Sequence, residues 1–198
     1  MKLHYRGKFD LNPESLPSKP HKCGAVRFKE AKDSKAMAVI ANVIALLLLL
    51  PLGIILYLRY GSFLFSDLLF SSIFALLCMF PHELLHAICF KEDVYLYTNL
   101  KQGMLFVVGP ETMSKKRFIF MSLLPNLVFG IVPFLLGLVF PSLSALATFG
   151  ALSITTGAGD YYNIFNAATQ MPRGARAYLY QFNSYWYMPG CEEAIESR

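Results

Sequence analysis

The chain has 198 residues, 55% of them apolar, and a formal net charge of +5. That content excludes a disordered chain, and the long apolar runs leave no room for a separate soluble domain. Nor does the charge point to nucleic acid, because Lys and Arg lie between and outside the apolar runs, as in loops that face anionic lipid.

Residues 1–36 read as a cytoplasmic arm. Pro13, Pro17 and Pro20 favour an extended chain over 1–20, where His4 and His21 read as solvated, and 25–36 reads as a short juxtamembrane helix. The first apolar run begins near Met37, too late for a cleaved signal peptide. Residues 37–170 read as one transmembrane domain. Its first span covers about 37–58, long enough at roughly 1.5 Å per residue to cross a hydrocarbon core of about 30 Å. Pro51 and Gly53 predict a kink in it. The second span covers about 63–90. Two β-prone runs follow over 94–108, flanking a turn signal at Asn99 to Gly103, and predict a hairpin. Lipid cannot satisfy an open sheet edge, so the hairpin belongs at the interface or against a cavity. Span three covers about 117–140 and includes Pro125 and Pro133; span four covers about 143–168 and includes Asp160. Residues 171–198 read as a cytoplasmic, aromatic-rich tail. Its run Tyr178 to Tyr187 reads as an aromatic anchor at the headgroups, or else as another strand on the hairpin. The expected fold class is an all-α polytopic membrane protein with about four transmembrane helices and a small interfacial hairpin or sheet.

Charge orients the spans. The segment before span one holds nine Lys and Arg, the next link one, the third five, the short link at Pro141 none and the tail three. Rich and poor sides alternate, so both termini are expected in the cytoplasm. Cys23, Cys78, Cys89 and Cys191 form no CxxC pair and are expected to be free thiols.

The chemistry concentrates in Phe80-Pro-His-Glu-Leu-Leu-His-Ala87. Residues four apart share a helix face, so His82 and His86 can offer two imidazoles to one zinc ion. Glu83 lies beside them and can act as a base toward water. Ionisable groups in hydrocarbon are costly and persist where they have a partner or a job. The plainer alternative is two buried histidines hydrogen-bonded to neighbouring helices.

A catalytic zinc takes three protein ligands and keeps one position open. Glu92 and Asp93 follow the motif too closely to fold back onto the same ion, Glu111 lies in a loop and Asp67 lies near the opposite membrane face. Asp160 is the acid deep in another span. Spans two and four both run inward, and the depths of His82 and Asp160 differ by only about 3 Å at the helical rise. Gly157 and Gly159 allow close helix approach. Asn163, one turn beyond Asp160, is a candidate to orient it or to bind a substrate carbonyl. Asn126 follows Pro125, where freed backbone favours a polar pocket.

The motif at 82–86, the hairpin, the run Met113-Ser-Lys-Lys-Arg-Phe-Ile-Phe-Met-Ser-Leu-Leu-Pro125 and the later Gly159-Asp-Tyr-Tyr-Asn163 resemble the small bacterial putative zincin peptidase family of the membrane. That family is similar to site-2 proteases, which cut peptide bonds within or beside the bilayer. The resemblance covers about residues 60–170. It implies one Zn2+ held by His82, His86 and Asp160, Glu83 as the catalytic base, and a core of three helices with the metal toward the cytoplasm of a bacterial membrane. Site-2 proteases carry Leu-Asp-Gly at the third ligand, whereas Asp160 here is followed by Tyr161.

The expected function is therefore a multi-pass zinc metallopeptidase that hydrolyses membrane or membrane-proximal protein substrates. The expected partners are lipid and a membrane protein or peptide, not nucleic acid. Two rivals belong to other classes. One is a protease-like scaffold that binds without cutting, and the intact His-Glu-x-x-His argues against it. The other is a divalent metal transporter, for which no relay of polar residues leads away from the cluster.

Overall fold

A computed structural model describes residues 1–62 and 64–190, with the side chains of 34 and 102 excepted. Position 63, where span two was expected to begin, and the expected thiol Cys191 lie outside the described residues, as does the end of the tail. The chain divides into two compact units.

One unit comprises Met1–Glu30, Glu83–Met121 and the chain from Asn163 on. It contains two sheets, which corrects the all-α expectation. In the first, β1 (Leu3–Lys8) runs parallel to β3 (Val94–Asn99), and β3 pairs antiparallel with β4 (Met104–Val108). The predicted hairpin is thus present. Its connection closes at Gly103 in the left-handed region, φ 63°, which glycine adopts without steric cost. In the second sheet, the order is β2 (Val26–Arg27), β7 (Asn183–Tyr187), β6 (Arg176–Tyr180), β5 (Met113–Ser114).

Four expectations about this unit change. The proline-bearing arm begins as a strand, because β3 offers it a ladder of main-chain partners that no local pattern reveals. The helix expected over 25–36 is replaced by β2 and irregular chain up to a helix that begins at Ser34, with Phe28 buried among Ala167, Met171, Ala175 and Ala177. The aromatic run 178–187 forms the β6–β7 hairpin, in a different sheet from the 94–108 hairpin. His21 is not a solvated arm residue. Its Nδ1 lies 2.9 Å from the Tyr178 hydroxyl, and its ring centroid lies 4.0 Å from that of Tyr180, tilted, and 4.7 Å from that of Tyr185, edge-on. His4 bonds Asp93 at 2.9 Å and stacks on Tyr95.

The other unit comprises Ala31–His82 and Ser122–Tyr162. Helix α1 (Ser34–Tyr60) starts where the Asp33 carboxylate accepts the Ala36 N–H at 2.8 Å, and it ends at Gly61 with φ 74°. It runs continuously through Pro51. Helices α2 (Phe65–Leu77) and α3 (Met79–Ala87) meet at a 41° bend. Pro81 explains the break, since it lacks the N–H that would bond the Leu77 carbonyl. A continuous helical run covers Lys115–Val139: α4 (Lys115–Pro125), a π-helical segment (Asn126–Ile131) and α5 (Val132–Val139). Helices α6 (Ser144–Thr156) and α7 (Ala158–Gln170) meet at Gly157. The core gathers Leu56, Phe134, Ala147, Ala151 and Ile154.

Two helices, Lys35–Tyr60 and Lys115–Val139, are long and apolar enough to cross a membrane, and the bent α2–α3 pair makes a third if it is one span. The fourth expected span is instead two 13-residue helices, each shorter than the roughly 20 residues a crossing needs. Cys78 and Cys89 are free thiols.

Candidate metal centre

Helix α3 carries the motif, and its 3.6-residue period puts His82, Glu83 and His86 on adjoining parts of one surface. Each offers a ligand atom, and these atoms lie within 4.8 Å of one another. All three are half-buried.

Each motif residue has a partner that orients it. The Met121 main-chain carbonyl lies 3.0 Å from His86 Nδ1. A carbonyl only accepts, so Nδ1 carries the proton and Nε2 keeps the lone pair that a metal requires. Pro125 makes that carbonyl available. A residue at 125 would normally donate its N–H back to Met121, four positions earlier, and proline has none to give. Glu83 Oε2 accepts the Val107 main-chain N–H at 3.0 Å. His82 Nε2 lies 3.1 Å from Asp160 Oδ2.

Asp160 lies in the first turn of α7, where the helix dipole favours a carboxylate. Its Oδ2 also accepts the Asn126 side-chain N–H at 2.8 Å. Asn126 is 1% exposed and lies in the π-helical segment that follows Pro125; such segments recur at functional sites. Of the two candidate asparagines, Asn126 therefore bonds the acid. Asn163 is half-buried one turn along α7, and its side chain makes no hydrogen bond among the described residues.

The donor set fits zinc. Two ligands on one tetrahedral zinc sit roughly 3.3 Å apart, from bond lengths of about 2.0–2.1 Å, and the His82–Asp160 separation is 3.1 Å. Nitrogen and carboxylate ligands with a fixed histidine tautomer suit that ion. Of the other acids weighed, Asp67 lies in the first turn of α2 and three are engaged elsewhere. Glu92 bonds Lys19 at 2.5 Å and Asp93 bonds Lys2 at 2.7 Å. Glu111 accepts the Lys91 and Glu92 N–H groups at 2.6 and 3.0 Å and Arg117 at 2.5 Å.

Composition and spacing missed the two main-chain partners, Met121 and Val107, because any residue type supplies a carbonyl or an N–H. The one available signal for Met121 was Pro125, four residues on.

A helix with this motif and this backing defines a zinc-peptidase type of site. Residues 74–176, just over half of the chain, match the family described as putative zincin peptidase, and the chain belongs to that family. No curated protein and no solved structure matches the chain.

Proposed function

We propose that this protein is a membrane-embedded zinc metallopeptidase, similar to site-2 proteases, that cuts membrane or membrane-proximal protein substrates. The observation that carries the reading is the cluster of His82, Glu83 and His86 on α3, in a chain of the zincin peptidase family. His82, His86 and Asp160 would hold one zinc ion. When bound, zinc supplies Lewis acidity toward a peptide carbonyl and a water. Glu83 takes the proton from the attacking water and later gives it to the leaving amine. The Val107 N–H keeps the Glu83 carboxylate in place, and the Met121 carbonyl keeps His86 in the ligating tautomer.

A helical substrate hides its peptide bonds and must unwind to be cut. Strand β4 lies at the edge of its sheet and offers main-chain partners to an extended peptide. Membrane embedding is supported by exposed apolar side chains along the helices. Leu46, Leu47, Leu50 and Leu58 on α1 are each more than half exposed, and soluble proteins rarely leave such a patch bare. Four crossings follow if α6 and α7 act as one broken span, and the Lys and Arg distribution then puts both termini in the cytoplasm.

The test is metal analysis and substrate cleavage by purified wild type beside His86→Ala and Glu83→Gln. His86→Ala should lose zinc and activity together. Glu83→Gln should keep zinc and lose roughly a hundredfold or more in rate. Zinc at wild-type level in His86→Ala, or full cleavage in Glu83→Gln, would overturn the reading.

A further inference from the structure

Gly157 lies at the break between α6 and α7, three residues before Asp160. An added Cβ there would fall 1.7 Å from Asn126 Oδ1, 2.6 Å from Cγ and 2.9 Å from Nδ2. The Asn126 amide therefore occupies the space that any other residue at 157 would fill. This is closer than ordinary helix packing, where a neighbour gives way by a few tenths of an ångström. Asn126 itself is 1% exposed, so it has nowhere to retreat without repacking.

The two ends of that amide differ. Nδ2 donates to Asp160 Oδ2 at 2.8 Å and to the Ser122 carbonyl at 3.3 Å. Oδ1 is buried, has no hydrogen-bond partner among the described residues and faces the bare α-carbon of Gly157. A buried unpaired acceptor costs stability, and nothing at that end anchors the side chain. Two things aim Nδ2 at the carboxylate: the Ser122 contact and the shape of the slot. Gly157 also fixes the acid directly, because the Asp160 N–H donates to the Gly157 carbonyl at 3.0 Å.

We infer that Gly157 is a positioning residue for the metal ligand Asp160. Its missing side chain admits the Asn126 amide, which holds the Asp160 carboxylate beside His82 Nε2. The inference rests on the proposed zinc reading and extends it by assigning a role to a residue that touches neither metal nor substrate. Its chemistry is that of an outer-shell donor. One N–H to a ligand carboxylate fixes which oxygen faces the ion and removes the freedom the carboxylate would lose on binding.

Outer-shell partners of this kind affect metal affinity by about 10–100-fold. The experiment measures zinc affinity by chelator competition, and the thermal midpoint of the zinc-free form, on the full chain in detergent. It compares wild type, Asn126→Ala, Gly157→Ala, the double variant and His86→Ala. Both single variants should bind zinc about 10–100-fold more weakly. The double variant should bind no more weakly than Asn126→Ala, because alanine at 126 leaves room for the new Cβ. That non-additivity separates positioning from packing: a glycine needed only for helix approach would lower the zinc-free midpoint equally in either background. The double variant also decides the matter if Gly157→Ala alone does not fold. Wild-type affinity in Asn126→Ala or Gly157→Ala, or additive losses in the double variant, would overturn the inference while His86→Ala still loses zinc. Zinc retained at wild-type affinity by His86→Ala would instead overturn the zinc reading, and this inference with it.

Discussion

The Val107 main-chain N–H donates to Glu83 Oε2 at 3.0 Å, linking an edge strand to the motif glutamate. In an antiparallel pair, residues alternate between exchanging hydrogen bonds across the ladder and pointing those groups outward. Val107 pairs with Leu96 in the β3–β4 register and spends its N–H on Glu83, so it is one of the outward positions. Leu105, two residues back, presents its main chain to the same edge. An extended substrate docked on this edge, as proposed, would draw on the same row of main-chain groups as Glu83.

Val107→Pro removes that donor. A hydrogen bond to a charged group contributes about 1.5–3 kcal/mol, so cleavage should fall roughly ten- to a hundredfold while zinc content stays near wild type. Leu105→Pro should act in the same direction through substrate docking alone. Parallel measurements of zinc per chain and of cleavage rate decide it, and equal loss of both would count against a role for this edge.

Glu111 predicts an acid-sensitive loop. Burial is the largest influence and pushes its carboxyl up, but Arg117 and the Glu92 and Lys91 N–H groups together outweigh it, so the group sits below its ordinary 4.5. A carboxyl with a lowered folded value stabilises the fold above the unfolded value. That contribution is lost as pH falls through the folded value. Glu111→Gln should cost about 3 kcal/mol at neutral pH, chiefly by leaving the Arg117 charge with the Cys89 carbonyl but no carboxylate. The gap from wild type should close below pH 4.5. Unfolding curves of the two proteins across pH test this, and a gap that persists undiminished in acid would contradict it.

Two glycines should respond in opposite ways to alanine. At Gly150 an added Cβ would lie 2.3 Å from the Phe134 main-chain nitrogen and 2.7 Å from the Gly130 carbonyl oxygen. Backbone cannot swing aside, so Gly150→Ala should destabilise by about 1–3 kcal/mol or more. At Gly53, inside α1, nothing lies within 4 Å, and alanine should gain up to about 1 kcal/mol of helix propensity. Helical signal against temperature in detergent reads both. Similar midpoints for the two variants would show that the close α5–α6 approach is absent.

Leu47 is 65% exposed on α1. If that face meets lipid, Leu47→Arg costs roughly 2.5–3.5 kcal/mol of insertion free energy. The membrane-extracted yield should then drop, with the fold of the surviving fraction intact. An unchanged membrane fraction would mean that this face meets water or another polypeptide.

The first and third apolar helices were legible in the sequence because apolar length is a local property, whereas the break of the expected fourth span into α6 and α7 was not. The run from Met37 predicts α1 to within three residues at its start and two at its end. The 94–108 hairpin was legible for the same reason, with β-prone runs on either side of Gly103. Strand β1 was not, because its ladder partner Val94–Asn99 lies about ninety residues away. The aromatic run 178–187 misled because tyrosine and tryptophan suit both a membrane interface and a pleated strand.

Local pattern was enough to define the motif helix. His82, Glu83 and His86 belong to one short segment, and the 3.6-residue period alone brings them together. It also singled out Asp160 as the candidate distant acid, by a depth argument that took span four as one helix where the structure has α6 and α7. What surrounds them came from long-range packing: Met121 on His86, Val107 on Glu83, Asn126 on Asp160 and Gly157 against Asn126. Two of those contacts use main-chain atoms common to almost every residue, and one depends on a side chain that is missing. Residue type hints at a freed carbonyl before Pro125 and at a close approach at Gly157, but which groups meet there arises only when packing brings distant segments into register.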